Sequence, residues 1–95
     1  MNYGKAIKEI RTMLKDNQEG FSLNIGITQG HLSSIEKGNK NPSPKVLSSI
    51  SDYSDIPLPI ISWMAVEEKD VPENKKDAFL ILKSNVDNFV ADFLN

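Results

Sequence analysis

The feature that most restricts this chain is Gly26-Ile27-Thr28, three residues set between two segments, each too short to be stable as an isolated helix and each apolar on one side only. The upstream segment runs from Gln18 to about Ile25, with Asn17 as its cap and Phe21 and Ile25 facing inward. Gly26 ends it, since glycine suits the left-handed conformation that closes a helix. The downstream segment runs from Gln29 to about Lys37. Thr28 can cap it, and Ile27 is placed to pack on Leu32 as a hydrophobic staple that fixes how the chain enters the helix.

The rest of the chain supplies the helices that such a pair needs around it. From Tyr3 to Leu14, Ala6, Ile7, Ile10, Met13 and Leu14 recur at three- and four-residue steps, while Lys5, Lys8, Glu9 and Arg11 fall elsewhere. After a loop from Gly38 to Pro42, Ser43 caps and Pro44 opens a fourth helix with a stripe of Val46, Leu47, Ile50 and Tyr53. A fifth, Leu58 to about Val66, has Pro59 in its first turn and is apolar nearly all round, which predicts burial. Glu67 to Asn74 is a charged connector. Beyond it a long helix is predicted from Lys75 to Leu94, in which Phe79, Leu82, Val86, Phe89 and Phe93 form a coiled-coil-like seam widened by Val90 and Leu94, with Leu80 and Ile81 as a second apolar flank. No strand pattern or internal repeat is present, so the fold class is all-α. Residues 1–66 form one unit, 67–74 the connector and 75–95 an appended helix.

Composition limits the chemistry. At 95 residues the chain carries one small core. With no Cys and the single His31 it has no disulfide framework, no thiolate nucleophile and no histidine metal cluster. No Gly-rich phosphate loop is present, and the serines from Ser33 to Ser54 have no partner base, so neither catalysis, a cofactor nor a small-molecule ligand is expected. No stretch approaches the roughly 18 apolar residues of a membrane span, and the first residues lack the apolar run of a signal peptide, so a cytoplasmic protein without membrane partners is predicted. The net charge of -2 hides an asymmetry. Residues 1–64 carry 7 Lys and Arg against 6 Asp and Glu, and residues 65–95 carry 4 against 7, so the two parts stand at +1 and -3. The one locally basic stretch is Thr28 to Lys45, where Lys37, Lys40, Lys45 and His31 meet only Glu36.

Two short helices joined by a tight turn inside a helical set make a helix-turn-helix. The sequence here resembles the Xre/Cro-type, lambda-repressor-like DNA-binding family over about residues 3–66. The resemblance is carried by Ile7 and Ile10-Arg11, Gln18, Phe21-Ser22, Gly26-Ile27-Thr28, Leu32-Ser33, Ile35-Glu36, Gly38 and Asn41-Pro42-Ser43. Two positions depart from the family pattern. Gly20 replaces a capping-box Glu, and Asp16 replaces an apolar residue and puts negative charge beside an expected phosphate contact.

The resemblance implies a five-helix DNA-binding domain whose third helix, Gln29 to Lys37, reads duplex DNA, with Gln18 and the loop after the third helix on phosphates. The residue types agree independently. Leu32 and Ile35 point to one side of that helix, and Gly30, Ser33, Ser34 and Lys37 to the other, where small side chains let a helix approach base edges. Gln29 projects from the N-terminal end and can offer a donor and an acceptor to one adenine. His31 lies on the flank, beside phosphates or solvent, and Thr28, Asn39, Lys40 and Asn41 complete the expected contact set. Glu36, at the edge of the apolar face, is expected to make structural hydrogen bonds. Because such operators are commonly two-fold symmetric, a homodimer is expected, held through Phe79, Leu82, Val86, Phe89, Val90 and Phe93; the alternative is a last helix that folds back on its own domain, with Phe79 to Leu82 docked on the fifth helix. The function expected is a transcriptional regulator, acting as a repressor. The alternative is an antitoxin-type interaction module of the same fold, whose last helix binds a toxin.

Overall fold

The structure, a computed structural model, describes residues 1–94. It contains six α-helices: α1 (Tyr3–Met13), α2 (Gln18–Ile25), α3 (Gln29–Glu36), α4 (Pro44–Ser54), α5 (Leu58–Met64) and α6 (Lys76–Leu94). Two 3-10 turns, Glu68–Asp70 and Glu73–Lys75, occupy the connector before α6. Among the described residues there is no strand. Among the same residues no helix is long and apolar enough to cross a membrane.

The helix boundaries follow from local chemistry. The Asn17 side chain accepts the Gly20 amide at 2.7 Å, Thr28 accepts that of His31 at 3.1 Å, and Ser43 accepts that of Val46 at 3.2 Å. Each such cap contributes about 1 kcal/mol by satisfying an amide that the helix leaves free. Gly26 closes α2 at a φ of 78°, a left-handed conformation that suits glycine. Asn2 caps α1 through the Lys5 amide at 2.9 Å.

At the centre of the bundle α1 packs against both α3 and α5, while α2 packs against α3 and α4. The shared core is Ala6, Ile7, Ile10, Phe21, Ile25, Leu32, Ile35, Val46, Ile50, Ile56, Ile61, Met64, Ala65 and Val90, with Ile27 packed at its margin. Beside these side-chain contacts, α1 and α3 also approach backbone to backbone at Gly4. A methyl group on Gly4 would overlap the Ile35 carbonyl oxygen and lie 3.3 Å from the Glu36 Cα, so only glycine permits this approach.

The two C-terminal helices differ from expectation. α5 buries one face, through Ile61 and Met64, while Ile60 and Trp63 are half-buried and Leu58 is 40 % exposed. The seam of α6 divides in two. Phe79 packs on Trp63 with ring centroids 5.7 Å apart, and Val90 lies in the common core, joined by half-buried Val86 and Leu94. Phe79, Val86 and Val90, read from the sequence as partner-facing, are thus used within the chain. The physical reason is angular: at 3.6 residues per turn, Leu82, Phe89 and Phe93 lie roughly 80° around the helix from the centre of that inner stripe. They stay 51 %, 60 % and 51 % exposed. Lys83 donates to the Met64 carbonyl at 3.4 Å, tying α6 to the open end of α5.

Candidate nucleic-acid interface

Leu32 and Ile35 anchor α3 from below, and both are fully buried. Its outer surface consists of exposed Gln29, Gly30 and Lys37, with Ser33 and Ser34 half-buried beside them and His31 half-buried on the flank. Between Gln29 and Lys37 this face carries only Gly30, Ser33 and Ser34. Nothing lies within 4 Å of where a Gly30 Cβ would stand, so the fold itself does not require glycine there, although glycine costs a helix about 1 kcal/mol relative to alanine.

The loop after α3 folds back on that helix. Gly38 donates to the Ile35 carbonyl at 3.0 Å, and Asn39 and Lys40 donate to the Ser34 carbonyl at 2.9 and 3.3 Å. These bonds hold the exposed residues Asn39, Lys40 and Asn41 in continuity with the α3 surface. Among the described residues neither Lys37 nor Lys40 joins an ion pair, so both ammonium groups are free to meet an external anion. Thr28 is exposed at the turn, with its hydroxyl oxygen occupied as the cap of α3.

Gln18 reaches this surface through Glu36. Its Nε2 donates to Glu36 Oε1 at 3.2 Å, leaving one amide hydrogen free. The Glu36 side chain is only 4 % exposed. It is gripped by Arg11, whose Nε donates to Oε2 at 2.8 Å and whose Nη2 donates to Oε1 at 3.0 Å, a bidentate geometry. The hydrogen bond to Glu36 holds the Arg11 guanidinium above the ordinary arginine range. Arg11 Nη1 also donates to the Asp16 carbonyl at 3.0 Å. One buried ion pair therefore locks α1, the start of α2 and the end of α3 together. The edge position of Glu36 indicated a structural role, but Arg11, 25 residues away, was not legible as its partner.

A second cluster joins α2 to α4. Tyr53 Oη donates to Asp16 Oδ2 at 2.6 Å and accepts from Asn24 Nδ2 at 3.1 Å. The Tyr53 ring meets Phe21 edge-on, with centroids 5.7 Å apart. Donating to the Asp16 carboxylate holds the Tyr53 hydroxyl above the usual phenol range. No sequence signal connected these residues. The residues expected to contact DNA, Gln18, Thr28, Gln29, Gly30, His31, Ser33, Ser34, Lys37, Asn39, Lys40 and Asn41, lie on α3, its flanking turn and loop, and the start of α2.

The two short helices and their three-residue turn are thus held among α1, α4 and α5. Residues 7–61 match the Helix-turn-helix family. The chain belongs to the Xre/lambda-repressor-like helix-turn-helix family. This is a family of DNA-binding transcription regulators. Over 54 residues the chain is 33 % identical to YazB of Bacillus subtilis (strain 168), an uncharacterised HTH-type transcriptional regulator, the aligned stretch covering 57 % of this chain and 78 % of that protein. No solved structure matches the chain. The helix-turn-helix match includes Arg11, Gln18 and Glu36, and it stops at Ile61, before the connector and α6.

Proposed function

We propose that this helix-turn-helix protein binds a specific duplex sequence as a homodimer, with α3 in the major groove, and represses transcription by occupying a two-fold symmetric operator. The observation that carries this reading is the outer face of α3, where Gln29, Ser33 and Ser34 surround a glycine that the fold does not need. Such a face lets the helix backbone come close to base edges. Gln29 reads a base edge, while Gln18, Lys40 and the neighbouring asparagines hold phosphates and set the register. Pairing through α6 is supported by the exposure of Leu82, Phe89 and Phe93, the last two lining an apolar cleft with Pro57 and Ile60 at the start of α5.

Two alanine variants test the reading on the selected operator and on a scrambled duplex, at several salt concentrations. Gln29→Ala should cost about 1–3 kcal/mol on the operator and relax preference at one base pair per half-site, with the salt slope unchanged. Lys40→Ala should weaken both duplexes alike and make the slope of log affinity against log salt shallower by about 0.9 per lost phosphate contact. Equal losses for Gln29→Ala on both duplexes would remove α3 from the groove.

A further inference from the structure

Tyr53 lies outside the expected DNA-contact set, yet it touches the approach to α2, its middle and its last turn. Its hydroxyl donates to Asp16 Oδ2 at 2.6 Å and accepts from Asn24 at 3.1 Å, and its ring packs edge-on against Phe21. Asp16 is held from the other side as well, because its carbonyl accepts from Arg11 Nη1 at 3.0 Å and its amide donates to the Arg11 carbonyl at 3.1 Å. The residue before it, Lys15, sits at a φ of 61°, a left-handed conformation that crowds the Cβ of a side-chain-bearing residue. Such a turn persists only where its surroundings hold it in place. The segment held is the one that presents the cap Asn17 and the Gln18 side chain.

We propose that Tyr53 is a positioning residue for DNA reading: by fixing Asp16 and Asn24 it sets α2 against α4, and so sets the register of Gln18 on the backbone and of α3 in the groove. The inference rests on the DNA-binding reading above. α2 and α3 share a packed face and a three-residue turn, so tilting of α2 moves α3 with it. Sequence-specific contacts need that register, whereas non-specific attraction to phosphates tolerates its loss. Tyr53 also directs the Asp16 carboxylate to a donor, which answers the departure from the family pattern at this position: the acid is an acceptor for α4.

The test uses full-length protein and the duplex it selects from a random library, with a scrambled duplex as reference. Tyr53→Phe keeps the ring against Phe21 and loses both hydrogen bonds. It should lower the ratio of specific to scrambled affinity by roughly five- to tenfold, in line with one or two lost hydrogen bonds. Asp16→Ala should do the same, Asp16→Asn should retain most of the ratio because its amide oxygen still accepts from Tyr53, and the double variant Tyr53→Phe/Asp16→Ala should lose little more than either single. A merely structural role would lower the melting temperature and leave the ratio unchanged well below the melt. Wild-type selectivity preserved in Tyr53→Phe, or fully additive losses in the double variant, would overturn the positioning role alone. A wild-type chain that prefers no duplex would overturn the DNA reading and this role together.

Discussion

Arg11→Ala tests the buried ion pair that joins α1, α2 and α3. The change removes two hydrogen bonds to Glu36 and one to the Asp16 carbonyl, and it leaves a carboxylate whose side chain is 4 % exposed with only the Gln18 amide as a donor. Stranding one member of a buried pair costs about 3–5 kcal/mol, because the remaining charge has lost its compensation but not its burial. For a small domain with a total stability at the lower end of about 5–15 kcal/mol, that is a large share. At an ordinary urea slope of about 1–3 kcal/mol per molar, the midpoint should fall by roughly 2 M, followed by circular dichroism at neutral pH. Two further variants identify the cause. Adding Glu36→Gln to Arg11→Ala should recover part of the loss by removing the stranded charge, and Arg11→Met with Glu36→Leu should be closer to wild type than Arg11→Ala alone. If Arg11→Ala unfolded within about 1 kcal/mol of wild type, or if neither second change helped, the pair would be solvated and the reasoning refuted.

Gly4→Ala should lower stability by about 1–3 kcal/mol, since the new methyl group meets the Ile35 backbone carbonyl and α1 must move off α3; an unchanged urea midpoint would contradict the close approach. Phe89→Asp with Phe93→Asp should turn a dimer into a folded monomer in sedimentation analysis, because these exposed, stacked rings are proposed to lie between protomers, where each contributes roughly 1.5–3 kcal/mol before entropic costs. A folded double variant that stayed dimeric would move the interface off α6. The Tyr53 hydroxyl, raised by its bond to Asp16, contributes stability that is complete below the unfolded phenol value of about 10 and is lost as pH rises through the raised folded value. Unfolding midpoints of wild type and Tyr53→Phe should therefore converge at strongly alkaline pH; a gap that stayed constant would count against the hydrogen bond.

What the sequence disclosed was local. Asn17, Thr28 and Ser43 act on amides three residues away, and Gly26 acts at its own φ, so the starts of α2, α3 and α4 and the turn between α2 and α3 were legible from residue type and spacing. What it concealed was relational. Arg11 reads as a solvated charge until α3 brings Glu36 to it, and Tyr53 reads as an ordinary stripe residue until α2 brings Asp16 and Asn24. Gly4 gives no signal at all, because the need for glycine arises from the Ile35 backbone 31 positions later, as the two residue numbers show. The division of α6 was hidden for a related reason: a row of apolar residues at three- and four-residue steps does not say which part α5 will cover. The α3 surface was legible because small polar residues on one side of a helix are a pattern within a single element.

The central claim is tested most directly by selecting bound sites from a random duplex library with the full-length protein at low salt, followed by titration at physiological salt. The result expected is enrichment of one inverted repeat, its half-sites about 34–36 Å apart, as two α3 helices related by a two-fold axis require in successive major grooves. Affinity for it should exceed that for scrambled duplex by at least about a thousandfold. A library that emerges unenriched, or retention that is independent of sequence and vanishes with salt, would contradict sequence-specific reading by α3.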